Sequence, residues 1–176
     1  YRNNLLGVIT DLGMVINKGD RAETEKADAG AEICRMVKSE TPWMPVIMQS
    51  SQDSAELARS LGVNFISKTS KTLLPELQNI ILSEFGFGDF VFTSEDGEVL
   101  GKAHDLYQMQ KLIEVVPDED LERHLSQMKL SKWLYARGLF PIAKILRSFD
   151  SSQFSSTQEH RDAIVSLIKS YRVQLG

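Results

Sequence analysis

The sequence has almost no cysteine and no long hydrophobic run. Its one cysteine, Cys34, excludes an internal disulfide framework and favours a reducing compartment, so we predict a cytoplasmic protein. No uninterrupted apolar run approaches the roughly 18–20 residues that a membrane-spanning helix requires, so we expect no membrane segment. The first residues also lack the basic and long apolar regions that are typical of a signal peptide.

The sequence also lacks an excess of positive charge and the short motifs of several enzyme classes. Its formal net charge is −4 and its pI is about 5.4, which predicts no nucleic-acid partner. There is no Gly-x-Ser-x-Gly motif, no paired set of catalytic carboxylates and no Cys–His pair, which disfavours a small hydrolase or transferase. The sequence opens without methionine and almost at once inside an apolar run, so we expect it to be part of a longer protein.

The first half of the sequence alternates short apolar runs with helical patterns. Apolar residues at successive positions indicate parallel strands that are covered on both faces. The predicted strands are Leu5–Thr10, Val46–Gln49 and Val63–Ser67. The predicted helices are Ala29–Lys38, Ser51–Gly62 and Thr72–Phe85. This alternation predicts an α/β fold with a parallel sheet over residues 1–84.

The pattern changes near residue 84. Residues 85–92 are rich in aromatic residues and glycine, and the turn that follows them predicts a hairpin. Beyond Lys102 the pattern is helical to the end, with Asp118 as a predicted N-cap. We therefore predict a second, mostly α-helical accessory or interaction domain over residues 85–176.

Three polar side chains follow the three predicted strands of the first domain: Asp11, Ser50 and Lys68. The carboxyl ends of parallel strands meet at one edge of a sheet, so we expect these side chains to lie together. A carboxylate nucleophile, a hydroxyl and an ammonium group suit phosphoryl transfer. Each residue also has a simpler interpretation, since Asp11 could close a turn, Ser50 could cap a helix and Lys68 could be solvated.

Over residues 5–82 the sequence resembles the receiver domain of two-component response regulators, which has a flavodoxin-like parallel sheet. The resemblance implies that Asp11 is the phosphoacceptor, with Ser50 and Lys68 as its catalytic partners and Phe65 as an aromatic switch residue. It also implies Mg²⁺ as cofactor. The partner would be a histidine kinase or another domain of the same polypeptide.

The sequence departs from the receiver pattern at several points. It begins at what would be the third strand, so the first two strands are missing and so is the acidic pair that holds the metal. Asp11 alone makes an incomplete Mg²⁺ site, although Asp20 or Asp28 in the charged stretch could add a carboxylate. Thr69 stands where the family usually has proline. Receiver ancestry is therefore better supported than active phosphotransfer.

The missing strands have a structural consequence. The third strand of a receiver is central, so Leu5–Thr10 becomes an apolar sheet edge when its neighbours are absent. Such edges pair readily with other chains. We therefore predict that upstream residues or a partner subunit cover this edge, which makes a homo-oligomer one expected outcome.

Residues 85–147 resemble a helical segment of pyruvate,phosphate dikinase and phosphoenolpyruvate-synthase-like multidomain proteins. The resembling positions are Gly88–Phe90, His124, Ser131–Gly138 and Ala143. The resemblance implies, as an alternative function, a non-catalytic accessory region of such an enzyme. We interpret His124 as a packed or surface residue rather than a metal ligand. Trp133 belongs either to the helical core with Leu134 and Leu139, which we favour, or to a partner-binding face with Tyr135 and Arg137.

Overall fold

In the computed structural model the chain divides into two compact units, Tyr1–Glu84 and Phe85–Gly176. The structure describes residues 5–13 and 28–175, so the predictions on the charged stretch before Asp28, including Asp20, lie outside the described residues. The first unit is mixed α/β. In its described part, the second unit combines a two-stranded hairpin with five α-helices.

The first unit is built on a three-stranded parallel sheet in the order β1-β2-β3. The strands are β1 (Val8–Asp11), β2 (Val46–Ser50) and β3 (Asn64–Ser67). This confirms the predicted α/β class, and the order is compatible with a flavodoxin-like arrangement. The predicted first strand was placed too early, because Leu5–Gly7 precede the strand and Asp11 belongs to it. The ladder continues to Leu12, whose N–H donates to the Gln49 carbonyl at 2.9 Å.

The helices of this unit are α1 (Ala29–Glu40), α2 (Ala55–Ser60) and α3 (Leu73–Glu84). Both α1 and α2 pack on one face of the sheet, where Cys34, Val46, Met48 and Ala58 form a buried cluster. Full burial of a side chain the size of Val46 or Met48 stabilises the fold by about 1.5–3 kcal/mol. The second helix begins later than predicted, at Ala55.

Strand β1 lies at an edge of this sheet. Among the described residues it pairs with β2 alone. The Ile9 side chain, on the face opposite the Cys34 cluster by its register with Ile47, is 45% exposed. The edge position of this apolar strand agrees with the sequence prediction, and what covers it stays a prediction.

The second unit opens with the predicted hairpin. Strands β4 (Phe90–Thr93) and β5 (Val99–Ala103) are antiparallel, with a register shift between Phe92 and Thr93. Gly97 in the turn has φ +85°, a conformation that other residues rarely adopt. The hairpin presents Phe90 and Phe92 to the core, where both are buried.

Five helices complete the described part of this unit. They are α4 (Leu106–Ile113), α5 (Asp118–Ser126), α6 (Lys129–Ala136), α7 (Phe140–Arg147) and α8 (Thr157–Leu175). The prediction of Asp118 as an N-cap is wrong, because Pro117 holds that position with φ −54° and ψ 146°. Asp118 is the first residue of α5, and its carboxylate pairs with Arg161.

The core of the second unit contains Trp133, which is 1% exposed. This confirms its interpretation as a core residue. Arg161 of α8 connects this helix to the end of α4. It donates to the carbonyl oxygens of Ile113, the last residue of α4, and of Val116 in the turn before α5. In the part of the chain that the structure describes, no helix is long and apolar enough to cross a membrane.

Candidate functional site

The structure brings together the three polar residues predicted at the strand ends. Asp11 ends β1, Ser50 ends β2, and Lys68 follows β3 directly. Lys68 Nζ lies 2.9 Å from Asp11 Oδ2, which is an ion pair. The backbone sets this proximity, because the Lys68 N–H donates to the Ser50 carbonyl oxygen at 2.9 Å. The parallel register therefore carries these side chains to the same sheet edge.

A polar pocket of about 310 Å³ lies at this edge of the sheet. Asp11, Ser50 and Lys68 line it, and so do residues that the sequence reasoning missed: Leu12, Gly13, Gln49, Ser51 and Gln52. In the sequence, these residues lie at the end of, or shortly after, the apolar runs that precede Asp11 and Ser50. A charged and polar pocket at the carboxyl ends of parallel strands is the usual place of a ligand site in α/β folds.

The ion pair is accessible to an incoming anion. The Asp11 side chain is 46% exposed and the Lys68 side chain 40% exposed. Ion pairs with this much solvent contact stabilise a protein by only about 0–1 kcal/mol. Lys68 can therefore exchange Asp11 for the oxygen of a bound anion at little cost in stability.

Ser50 has a local structural role as well as a place in the pocket. Its Oγ accepts a hydrogen bond from the Gln52 N–H at 3.0 Å, which fixes the turn before α2. The hydroxyl proton is still available to donate to another acceptor. The turn role and the site role are therefore compatible.

Phe65 lies outside the lining of the pocket. It is half-buried in β3 and packs against the Cys34 cluster. Its register partner is Met48, two residues before Ser50, so Phe65 and Ser50 belong to the same face of the sheet. The predicted switch residue therefore neighbours β2, the strand that carries Ser50 into the pocket.

The described residues of the pocket make an incomplete Mg²⁺ site. Mg²⁺ needs near-octahedral oxygen coordination and commonly binds through one or two carboxylates. Here Asp11 is the pocket's carboxylate, and its Oδ2 already contacts Lys68. Asp28 is exposed beside the start of α1 and does not line the pocket. Within residues 5–13 and 28–175, no group of three or more metal-ligating side chains is present.

In the second unit, the residues that carry the second resemblance contact one another. Trp133 Nε1 donates to the Gly88 carbonyl oxygen at 3.1 Å. Arg137 donates to the carbonyl oxygens of Gly86 and Gly88 at 3.0 and 2.9 Å. These bonds fix the glycine-rich segment before β4 against α6.

His124 is a packed residue, as interpreted from the sequence. It is 1% exposed, and its Nε2 lies 3.0 Å from the Thr93 backbone nitrogen, which places it to accept that N–H. Its Nδ1 has no hydrogen-bond partner among the described residues. Burial lowers the pKa of His124 to about 4, so the imidazole is neutral at pH 7.

Comparisons of the chain with protein-family models, with curated proteins and with solved structures find no match. The class of the protein is therefore described by its fold and its candidate site alone. The first unit is a mixed α/β unit with a charged pocket at the carboxyl ends of three parallel strands, and a largely helical unit follows it.

Proposed function

We propose that this chain is a regulatory, receiver-like module with a helical interaction domain, and that it belongs to a larger signalling or phosphotransfer protein. Phosphorylation of Asp11 gates the module. The observation that carries this proposal is the 2.9 Å contact between Asp11 and Lys68 in a pocket that Ser50 also lines. They are three of the side chains that the receiver resemblance implies at the strand ends, and the acidic pair that holds the metal in that family is not among the residues of this sequence.

The chemistry uses each of the three groups. A carboxylate oxygen of Asp11 attacks the phosphorus of a phosphoryl donor, and the donor's leaving group departs with the electrons of the broken bond. The product is an acyl phosphate on Asp11. Lys68 then neutralises the phosphoryl oxygens, and the Ser50 hydroxyl donates to one of them. The donor is a phosphohistidine of a histidine kinase or of another domain of the same polypeptide.

The test is phosphorylation of the intact chain by acetyl phosphate, with and without added Mg²⁺. We expect a mass gain of one phosphoryl group on the native protein, with acetate released. Asp11→Asn removes the nucleophilic carboxylate and should abolish the gain. Asp28→Asn is the matched control, because Asp28 is also exposed and its side chain makes no helix-cap hydrogen bond.

Two results would overturn the proposal. One is a native chain that gains no phosphoryl group under either condition. The other is equal phosphorylation of the native and Asp11→Asn proteins, which would place the modification elsewhere.

A second function is favoured by the contacts of Gly88 with Trp133 and Arg137. These contacts join the stretches that resemble phosphoenolpyruvate-synthase-like proteins, so the chain is alternatively a non-catalytic accessory region of such an enzyme. In the longer protein, deleting residues 85–176 would then lower phosphoenolpyruvate-forming activity. Asp11→Asn would leave that activity unchanged, whereas a phospho-gated module would be affected.

A further inference from the structure

The helical unit carries an open groove of about 540 Å³, separate from the Asp11 pocket. Its walls are largely apolar or aromatic, and two arginines reach it. The lining residues are His104, Asp105, Leu106, Tyr107, Trp133, Arg137, Leu139 and Arg172. A groove of this size with few polar groups suits a small organic ligand.

Arg137 presents a half-buried positive charge at this groove. Its guanidinium carbon lies 3.7 Å from the centre of the Trp133 ring. The hydrogen bonds that it makes within the described residues go to carbonyl oxygens of Gly86, Gly88 and Trp133, not to a carboxylate. Burial lowers the pKa of Arg137, with Asp89 acting in the opposite direction. The Arg137 guanidinium is therefore partly desolvated, and within the described residues it makes no hydrogen bond to a carboxylate.

Arg172 of α8 presents a second guanidinium. Its central carbon lies 4.7 Å from the centre of the Tyr107 ring, and it donates to Gln110 Oε1 at 2.8 Å. Gln110 is a neutral partner. In the described structure Arg172 thus resembles Arg137, since each cation rests on an aromatic ring and neither forms an ion pair with a carboxylate.

The carboxylates near the groove are engaged elsewhere. Asp105 caps α4 by accepting the Gln108 N–H at 2.8 Å. Asp89 contacts His104. Glu114 lies 2.9 Å from Lys111. Asp105 nevertheless keeps its charge and itself lines the groove, so a ligand there would meet two guanidiniums and one carboxylate, a net positive charge that favours an anion.

We propose that this groove binds an organic phosphate monoester. The two guanidinium groups outweigh the one carboxylate of the lining, and their remaining N–H groups can donate to the oxygens of a phosphate dianion. The walls formed by Leu106, Tyr107 and Leu139 would hold the organic part of the ligand. A carboxylate ligand would offer these N–H groups two acceptor oxygens, whereas a phosphate monoester offers three terminal ones.

The test is binding of phenyl phosphate to the intact chain, measured by calorimetry in the Asp11→Asn background so that the first pocket cannot be phosphorylated. Inorganic phosphate and benzoate are the comparison probes. We expect phenyl phosphate to bind about fivefold or more tightly than either, because it combines the dianion with an apolar body. Binding should weaken as the salt concentration rises.

Variants locate the site. Arg172→Gln should weaken phenyl phosphate binding about tenfold or more, because it removes a charged hydrogen bond. Lys144→Gln removes an exposed charge from α7 and should change nothing. Lys68→Gln should also leave binding unchanged.

Three results would overturn the proposal. The first is no measurable binding of phenyl phosphate. The second is binding that Lys68→Gln weakens and Arg172→Gln does not, which would move the ligand to the Asp11 pocket. The third is equal affinity for benzoate and phenyl phosphate, which would remove the requirement for a dianion.

Discussion

A β-carbon added to Gly30 would lie 1.9 Å from the carbonyl oxygen of Asp11. The first turn of α1 therefore rests directly on the strand end that carries the pocket carboxylate. The Gly30 N–H also donates to the Leu12 carbonyl oxygen at 2.8 Å. Any displacement of this turn would be transmitted to the backbone of Asp11 and Leu12.

The first prediction concerns Gly30→Ala. Replacing glycine by alanine inside a helix normally stabilises it by about 1 kcal/mol. Here the added methyl group meets backbone atoms that cannot rotate away, so we expect a net destabilisation of about 2–3 kcal/mol. Urea denaturation would measure the change. Ser39→Ala, an exposed position on the same helix, should change stability by less than about 0.5 kcal/mol.

A more stable Gly30→Ala protein would contradict the close approach. It would mean that α1 and β1 lie further apart in solution than they do in the structure.

The second prediction is that His124 makes the second unit sensitive to acid. Its pKa is lowered from the usual 6.5 to about 4 by burial, so the unfolded chain takes up the proton first as the pH falls. The free energy of unfolding should therefore drop between pH 6.5 and about 4, by about 3 kcal/mol in total. Urea denaturation at several pH values in this range would show the drop.

His124→Gln should reduce that pH dependence, because glutamine can still accept the Thr93 N–H but does not titrate. His104→Gln is the comparison variant, since the His104 side chain is 64% exposed and contacts Asp89 rather than the core, and it should retain the drop in stability between pH 6.5 and about 4. If His124→Gln and the native protein lose stability in parallel down to pH 4, the neutral buried imidazole is the wrong description.

The third prediction concerns the reactivity of Cys34. The side chain is fully buried, and burial raises the pKa of its thiol. Because the thiolate is the reactive form, a thiol reagent should label the native protein much more slowly than the urea-unfolded protein. Fast labelling of the folded chain would show that α1 opens readily from the sheet.

The fourth prediction concerns the edge of β1, where a second copy of the chain would complete the sheet. We expect sedimentation velocity to show self-association that grows with concentration. Ile9→Lys should weaken it, because it places a charge on the exposed apolar strand. Leu74→Lys, at a 73% exposed position of α3, should not. A chain that is monomeric at every concentration would contradict the pairing of this edge with a second copy.

The alternation of strands and helices was predictable because continuous apolar runs and helical spacing are local signals. The strand boundaries were harder to predict, because Asp11 is polar and belongs to β1 only through its pairing with β2. The N-cap at Pro117 was missed for a related reason. Asp118 is a good capping residue, but in the folded unit its carboxylate pairs with Arg161, which is 43 residues away in sequence.

The sequence predicted the charged residues of the pocket but not its glutamines. Asp11 and Lys68 end apolar runs in a pattern that a parallel sheet brings together. Gln49 and Gln52 lie within and just beyond the same apolar run as Ser50, but their amide side chains alone did not indicate a pocket, which required the structure of β2 and of the loop after it. The sequence suggested Arg137 only as part of a partner-binding face and did not indicate the groove, because Arg137 and Arg172 are distant in the chain and line one groove only through the packing of the helical unit.

The contacts of Arg161 also bear on how the chain is made. This residue lies in the last helix, and it supplies hydrogen bonds to the turn at Ile113 and Val116, which was synthesised more than forty residues earlier. That turn lacks these partners until α8 has left the ribosome. We therefore expect the helical unit to reach its final packing only after synthesis of its C-terminal helix, whereas the parallel sheet before it can form while translation continues.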